Sequence, residues 1–372
     1  MQRLIGVISG TSMDALDLAI LEHSDTELAC GAVHAAPLPE SLHRHLAALA
    51  DPNWQGPLAS MAEADAQLGE VIGEAVLQLL AQAELRPQDI RAIGSHGQTV
   101  LHRPNAQPGV SLQLGCPHRI AQITGITVVS DFRRRDLAAG GQGAPLVPAF
   151  HQAVFGRPDA AIAVLNLGGI ANLSLLSNDG SPLRGFDTGP ANTLLDLWCR
   201  RHRQQPYDAG GTWAASGRVQ MDLLAALLDD DFFRASAPKS TGTQYFSGDW
   251  LAQKCGDLGD FSAADVQATL LALSAQSIAQ ALKQAMPSCQ ELLVCGGGVH
   301  NEALMQALAA ELADLPVGST ATHGIDPDYV EALAFAWLAG ETLAGRPADL
   351  MAVTGAKENV ILGSIVPGRQ GF

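Results

Sequence analysis

The 372-residue chain is short of positive charge: 22 Lys and Arg stand against 38 Asp and Glu, a formal net charge of −16 at pH 7. Such a surface repels phosphate backbones and anionic headgroups, which makes nucleic acid and membrane surfaces poor partners. Any anionic ligand must be held locally, by backbone N–H groups, a helix N-terminus or a few placed arginines. Cysteine is sparse as well. The six (Cys30, Cys116, Cys199, Cys255, Cys289 and Cys295) are scattered, with no C-x-x-C pair and no His-rich tract beside them. That supports neither a zinc site nor a disulfide framework. No apolar run reaches the ~18 residues of a membrane span, and no charged n-region precedes an apolar h-region, so a cytoplasmic protein is expected. The common chemical signatures are missing too: no G-x-x-x-x-G-K-[ST], no G-x-G-x-x-G after a strand, no G-x-S-x-G and no H-E-x-x-H.

What is present is a large apolar fraction, 47%, and 38 glycines. A chain of this length exceeds one core and predicts two domains. Strand-length apolar stretches alternate with helical periodicity, an α/β pattern. Strands are expected at Leu4 to Ser9, Leu18 to Leu21, Ile90 to Gly94, Ala161 to Leu176 and Glu291 to Cys295. Helices are expected at Leu58 to Ala83, from Asn192, from Ser262 and at Asn301 to Leu312, with "AVTGAKENVILGSI" as a late strand pair. The boundary is placed near Arg135. It gives an N-terminal domain of 1–135 to which 350–372 returns, and a C-terminal domain of 136–349.

"LIGVISGTSMDALDLAIL" and "IAVLNLGGIANLSLL" are both strand, small polar turn, strand, about half a chain apart. A glycine-containing turn with hydroxyls lets N–H and O–H donors converge on a phosphate chain, and a carboxylate beside it suits a hydrated magnesium ion. Ordinary hairpins rich in small residues would look the same. A later Gly296-Gly297-Gly298 lies between a strand and a helix, where backbone can approach a flat ligand.

Two such hairpins and a late strand-GGG-helix segment resemble the actin/hexokinase-like ATPase superfamily. "SGTSMDALD", "GSHGQT", "GGQGAPLVP", "NLGGIANLS", "FDTGPAN" and "CGGGVHN" occur in that order. Jointly they are similar to the anhydro-N-acetylmuramic acid kinases, over Ile5 to about Pro367. The resemblance implies duplicated ribonuclease-H-like α/β domains, with ATP and a sugar in the cleft between them. It assigns the nucleotide to Gly10, Thr11, Ser12, Met13, Asp14, Ala15, Leu16 and Asp17, to Gly168 and Gly169, and to Gly296, Gly297, Gly298 and Asn301. Asp14 is the candidate ligand of Mg2+. Ala15 and Ala191 stand where the family commonly has glycine; if either site needs a positive φ, alanine costs about 1 kcal/mol.

Asp187, in "GFDTGPAN", reads from the residues alone as either a helix N-cap or a functional carboxylate. The resemblance makes it the catalytic base. It would deprotonate a water that attacks C1 of a 1,6-anhydro sugar, while the departing O6 takes the γ-phosphoryl group of ATP. The same resemblance turns His96 and Gln98, in "GSHGQTVLH", and Asn172 toward the sugar. Of Arg133, Arg134 and Arg135, two read as a solvated charge run beside Asp131 and Asp136. Arg133 is the one expected to pair with a lactyl carboxylate. Glu331 opens a helix, where it complements the dipole or contacts the sugar.

Three classes of function stay open: a kinase that also opens an anhydro linkage in peptidoglycan recycling, a hexokinase-like kinase acting on a free hydroxyl, and an ATP-gated scaffold. The resemblance also implies a homodimer.

Overall fold

The computed structural model describes residues 2–10, 13, 15–24, 28–237, 239–256 and 258–369. Its chain divides into two compact units, Met1–Val154 with Tyr329–Phe372, and Phe155–Asp328.

The first unit is built on strands β1 (Gln2–Ser9), β2 (Ala15–His23), β3 (Leu28–Pro37), β4 (Ala92–Arg103), β5 (Val110–Leu114), β6 (Val128–Ser130) and β12 (Ser364–Val366). The second holds β7 (Ile162–Leu167), β8 (Ile170–Leu176), β9 (Arg184–Pro190), β10 (Glu291–Cys295) and β11 (Val317–Ser319). In the first sheet the order runs β3-β2-β1-β4-β6, in the second β9-β8-β7-β10-β11. In each, the first three strands of the unit pair antiparallel. The fourth then lies parallel to the first, and the fifth parallel to the fourth. The echo between the two hairpins is therefore a duplication of topology, in agreement with the α/β fold expected. To the first copy are added β5, paired with β4, and β12, antiparallel to β6.

Central strands buried on both faces read as continuous apolar runs, and this is how β1 and β7 carry Ile5 and Val7, or Ala163 and Leu165, into separate cores. The helix Val330–Leu343 crosses the first sheet closely. A Cβ on Gly6 would lie 1.7 Å from the Ala332 carbonyl oxygen, and one on Gly94 would lie 2.0 Å from that of Phe335. Glycine at both positions is what permits this approach. It explains why the chain returns to the first unit at 329 and not at 350; the first unit also runs on to 154, beyond the 135 placed from sequence.

Two local expectations change. The strand placed at Ile90 to Gly94 continues to Arg103, because β5 supplies a hairpin partner from Arg103 back to Gln98. The late strand pair is a short helix, Met351–Thr354, and the single strand β12. Glycine at 355, with φ of 77°, closes that helix in the left-handed region.

Candidate active site

In the second unit a row of register partners crosses the sheet: Asp187 on β9 faces Asn172 on β8, which faces Asn166 on β7, which faces Cys295 on β10. The β8–β9 register slips between Ala171 and Asn172. Irregularities of this kind re-aim side chains near functional sites. Asp187 is therefore a strand residue and caps no helix; the N-cap of the following helix, Asn192–Arg203, is Ala191. Asp187 N–H donates to the Lys239 carbonyl at 3.0 Å, and Thr241 N–H donates to Asp187 Oδ2 at 2.8 Å. Desolvation pushes the carboxyl up to about 6, against the opposing pull of that one N–H.

The β7–β8 turn, Gly168-Gly169, turns its carbonyls toward the start of this helix. Ala191 N–H and Thr193 N–H donate to Gly169 O, while Asn192 N–H and Nδ2 donate to Gly168 O. In a trans peptide the carbonyl and the following N–H point in opposite directions. The N–H groups of Gly169 and Ile170 are thus directed away from the helix, as an anion-binding turn requires. Ala191 has φ of −103°, so alanine meets no left-handed strain there.

The three glycines after β10 differ in role. A Cβ on Gly296 would lie 2.3 Å from Asn166 Oδ1, and one on Gly298 would lie 2.5 Å from Leu167 Cβ, so both serve packing. Gly297 has nothing within 4 Å of such a Cβ. It lines a pocket of about 490 Å³ with Asn192, Asp196, Tyr207, His300 and Asn301. Asn301 caps the helix Glu302–Glu311, accepting from Leu304 N–H at 3.0 Å. Desolvation raises the Asp196 carboxyl to about 6.

In the first unit His96 and Gln98 lie within β4, on either side of Gly97, and not at a strand end. Arg133 Nε and Nη2 both donate to His96 Nε2, at 3.0 and 2.8 Å, and Nη1 donates to the Gly143 carbonyl at 2.8 Å. Arginine only donates, so His96 Nε2 must carry the lone pair, and Nδ1–H donates to Gly97 O, 2.9 Å from Nδ1. Burial and the Arg133 charge hold His96 neutral, well below its ordinary value. Desolvation lowers Arg133 to about 10, opposed by Glu331 and Asp136. Two of its five N–H groups remain for a ligand. Arg134 pairs instead with Asp131, and Arg135 is exposed.

Gln98 is buried, and its Oε1 has no hydrogen-bond partner among the described residues; Ser9 Oγ and Ser95 Oγ are in the same state. Orphaned buried acceptors are rare, and a polar ligand would satisfy them. Glu331 is exposed in the first turn of its helix; desolvation raises its carboxyl, and the Arg133 charge lowers it.

Of the first loop, Thr11, Ser12 and Asp14 lie outside the described residues. Gly10 follows β1, and a Cβ there would meet nothing within 4 Å. Met13 takes the left-handed conformation, φ of 57°, and donates its N–H to Gly10 O. Ala15 is a β2 residue outside the positive-φ set, so the turn makes no demand for glycine there. Leu16 is fully buried in the apolar core, and Asp17 is half-buried on the same strand.

Residues 2–368 match the family described as anhydro-N-acetylmuramic acid kinase. The chain belongs to that family. It is 51% identical, over 98% of its length and 97% of the relative's, to the anhydro-N-acetylmuramic acid kinase of Xanthomonas axonopodis pv. citri (strain 306). The enzyme of the same name from Pseudomonas fluorescens (strain Pf0-1) is 50% identical over 98% of this chain and 99% of that one. Among solved structures, the activator of 2-hydroxyisocaproyl-CoA dehydratase from Clostridium difficile with bound ADPNP aligns with a TM-score of 0.42 and 14% identity, over 90% of this chain and 93% of that one.

Family membership makes the protein a phosphotransferase with an alcohol acceptor. The candidate site residues named from sequence do not include Ser9, Asn166, Asp196 and Thr241, which lie beside them in the structure. Asn166 had a signal, since "NLGGIAN" places two asparagines symmetrically about the turn. Thr241 had none, because it meets Asp187 through a backbone N–H.

Proposed function

We propose that the protein consumes 1,6-anhydro-N-acetylmuramic acid, ATP and water and releases N-acetylmuramic acid 6-phosphate and ADP, as a cytoplasmic step in the reuse of peptidoglycan sugar. The observation that carries this reading is Asp187, a desolvated carboxylate with one N–H on Oδ2. Its remaining acceptor capacity suits a water molecule, and a base that titrates at about 6 is ionised at neutral pH.

O6 of the substrate is tied into an internal acetal and carries no hydroxyl. Asp187 takes a proton from water as the water oxygen bonds to C1 and the C1–O6 bond breaks. O6 then bonds to the γ-phosphorus as the bridge to ADP breaks. The phosphoryl group thereby replaces the proton that a glycosidase would deliver to its leaving oxygen, so a single carboxylate suffices.

For the sugar, the two remaining Arg133 N–H groups match a lactyl carboxylate, Gln98 Oε1 accepts a hydroxyl, and Asn172 lies beside the base. Glu331 accepts from the N-acetyl or a hydroxyl group. For the nucleotide, the N–H groups of the Gly168-Gly169 turn and the open side of Gly10 suit the phosphates, and the pocket bordered by Gly297 and Asp196 suits the nucleoside. Among the described residues no group of three or more His, Cys, Asp or Glu is placed to hold a metal. A magnesium ion brought by phosphates and water needs one or two carboxylates, and Asp14 or Asp17 would supply them. When bound it would neutralise charge on the transferred group.

The test is ADP release from ATP and magnesium with either the anhydro sugar or N-acetylmuramic acid. Turnover of only the anhydro form is expected. Equal turnover of both would favour a kinase for free hydroxyls, and no turnover of either would favour an ATP-gated scaffold. The expected homodimer is tested by light scattering of the purified chain.

A further inference from the structure

The stretch Lys239-Ser240-Thr241-Gly242-Thr243 touches two parts of the site, the Asp187 carboxylate and the Gly168-Gly169 turn. Strand β9 is the edge of its sheet. At that edge the Lys239 carbonyl takes the Asp187 N–H, and Thr241 N–H reaches the Asp187 carboxylate. Two residues on, Thr243 leans on the phosphate turn: a Cβ on Gly169 would lie 3.1 Å from Thr243 Cγ2.

Both ends of this stretch lead back to one carboxylate. On the N-terminal side, Lys239 Nζ donates to the Phe232 carbonyl at 2.8 Å and sits 4.6 Å from the centre of the Phe232 ring. Phe232 N–H in turn donates to Asp230 Oδ1 at 2.9 Å. On the C-terminal side, Tyr245 N–H donates to Gly242 O at 3.0 Å and its hydroxyl donates to Asp230 Oδ1 at 2.8 Å. Asp230 is only 4% exposed; Trp250 Nε1, at 3.0 Å, and Lys254 Nζ, at 2.9 Å, complete its shell. A buried carboxylate is tolerated when its lone pairs are filled this fully, and the arrangement is then rigid.

We propose that the 239–243 segment is a clamp that orients the Asp187 carboxylate, and that Asp230 and Tyr245 are positioning residues that fix the clamp at both ends. The proposal rests on Asp187 as the base. An edge-strand side chain with one hydrogen bond on one oxygen is otherwise free to rotate, and small misplacements of a base are expensive in rate. The clamp also sets the base's acidity, because an N–H given to the ionised form favours it.

Tyr245→Phe deletes one hydroxyl from a 46%-exposed side chain, so it probes the anchor without threatening the fold. The experiment measures kcat, KM for ATP and the pH profile of kcat/KM for this variant, for Lys239→Met and for Asp187→Asn, with melting temperatures of all three. For the first two, kcat is expected to fall about tenfold and KM for ATP to hold within about twofold. The acid limb of the profile is expected to move up by roughly half a pH unit, as a loosened N–H stops favouring the charged carboxylate. If Asp187→Asn is inactive while both other variants keep the wild-type acid limb, the clamp is refuted. The same holds if they lose rate only in step with their melting temperature. If Asp187→Asn retains kcat, the failure lies in the assignment of the base.

Discussion

Arg133 places two donors on a single acceptor, His96 Nε2, at 3.0 and 2.8 Å. The pair fixes the histidine's tautomer and holds the guanidinium in one plane, with the His96 ring tilted against that of Phe335, centroids 4.5 Å apart. A pre-set guanidinium binds a carboxylate without first losing rotamer freedom.

Arg133→Ala is expected to raise KM for the anhydro sugar by about tenfold or more, and to leave KM for ATP nearly unchanged. Steady-state kinetics with each substrate varied in turn checks this. An equal rise in both constants would mean that the residue supports the fold and not the sugar.

Because His96 is held neutral well below its ordinary value, it does not titrate where activity is measured. With Asp187 as the proposed base, an acid limb of kcat/KM is expected near pH 6, with activity rising as the carboxylate ionises; Asp196, raised to the same range, is the other group that titrates there. Asp187→Asn should lower kcat by roughly 10² to 10⁴ and keep nucleotide affinity, read by titration calorimetry with a non-hydrolysable ATP analogue.

The same carboxylate opposes stability. Between its unfolded value near 3.8 and its folded value of about 6, the native state binds more protons than the unfolded chain, so stability falls as pH rises through that window. Asp187→Asn removes this loss. It is expected to be more stable than the wild type at pH 7, by on the order of 2 kcal/mol, with the gap closing below pH 4. Thermal melts at the two pH values read the difference directly.

The glycines after β10 separate packing from binding. Gly298→Ala forces a Cβ to 2.5 Å from Leu167 Cβ and is expected to cost about 1–3 kcal/mol of stability. Gly297→Ala has open space and should keep the wild-type melting temperature while raising KM for ATP. Chemical denaturation and kinetics on the pair distinguish the two roles.

Much of this was legible in the residues. Apolar runs with a period of two or none marked β1, β7 and β10, and glycine between strands marked both turns. The duplication was visible as two similar hairpins, and the helix expected from Ser262 starts there, with Ser262 Oγ accepting from Asp265 N–H. What failed depended on partners distant in sequence. β4 outran its expected end because β5 pairs with it. The helix Val330–Leu343 joined the first unit because Gly6 and Gly94 let it approach, and a lone glycine does not announce its neighbour. No feature of the sequence separates Arg133 from Arg134 and Arg135, and the hold on His96 that does so joins residues 37 apart. The contact of Thr241 with Asp187 spans 54 residues through a backbone N–H that every residue except proline carries.

The central claim is that water opens the sugar while ATP phosphorylates the oxygen it releases. The direct measurement is mass spectrometry of the phosphorylated sugar made in ¹⁸O-water and quenched before the anomeric oxygen exchanges with solvent. One solvent oxygen at C1 and none in the phosphoryl group is the predicted result. An unlabelled phosphosugar, or label in the phosphoryl group, would contradict it.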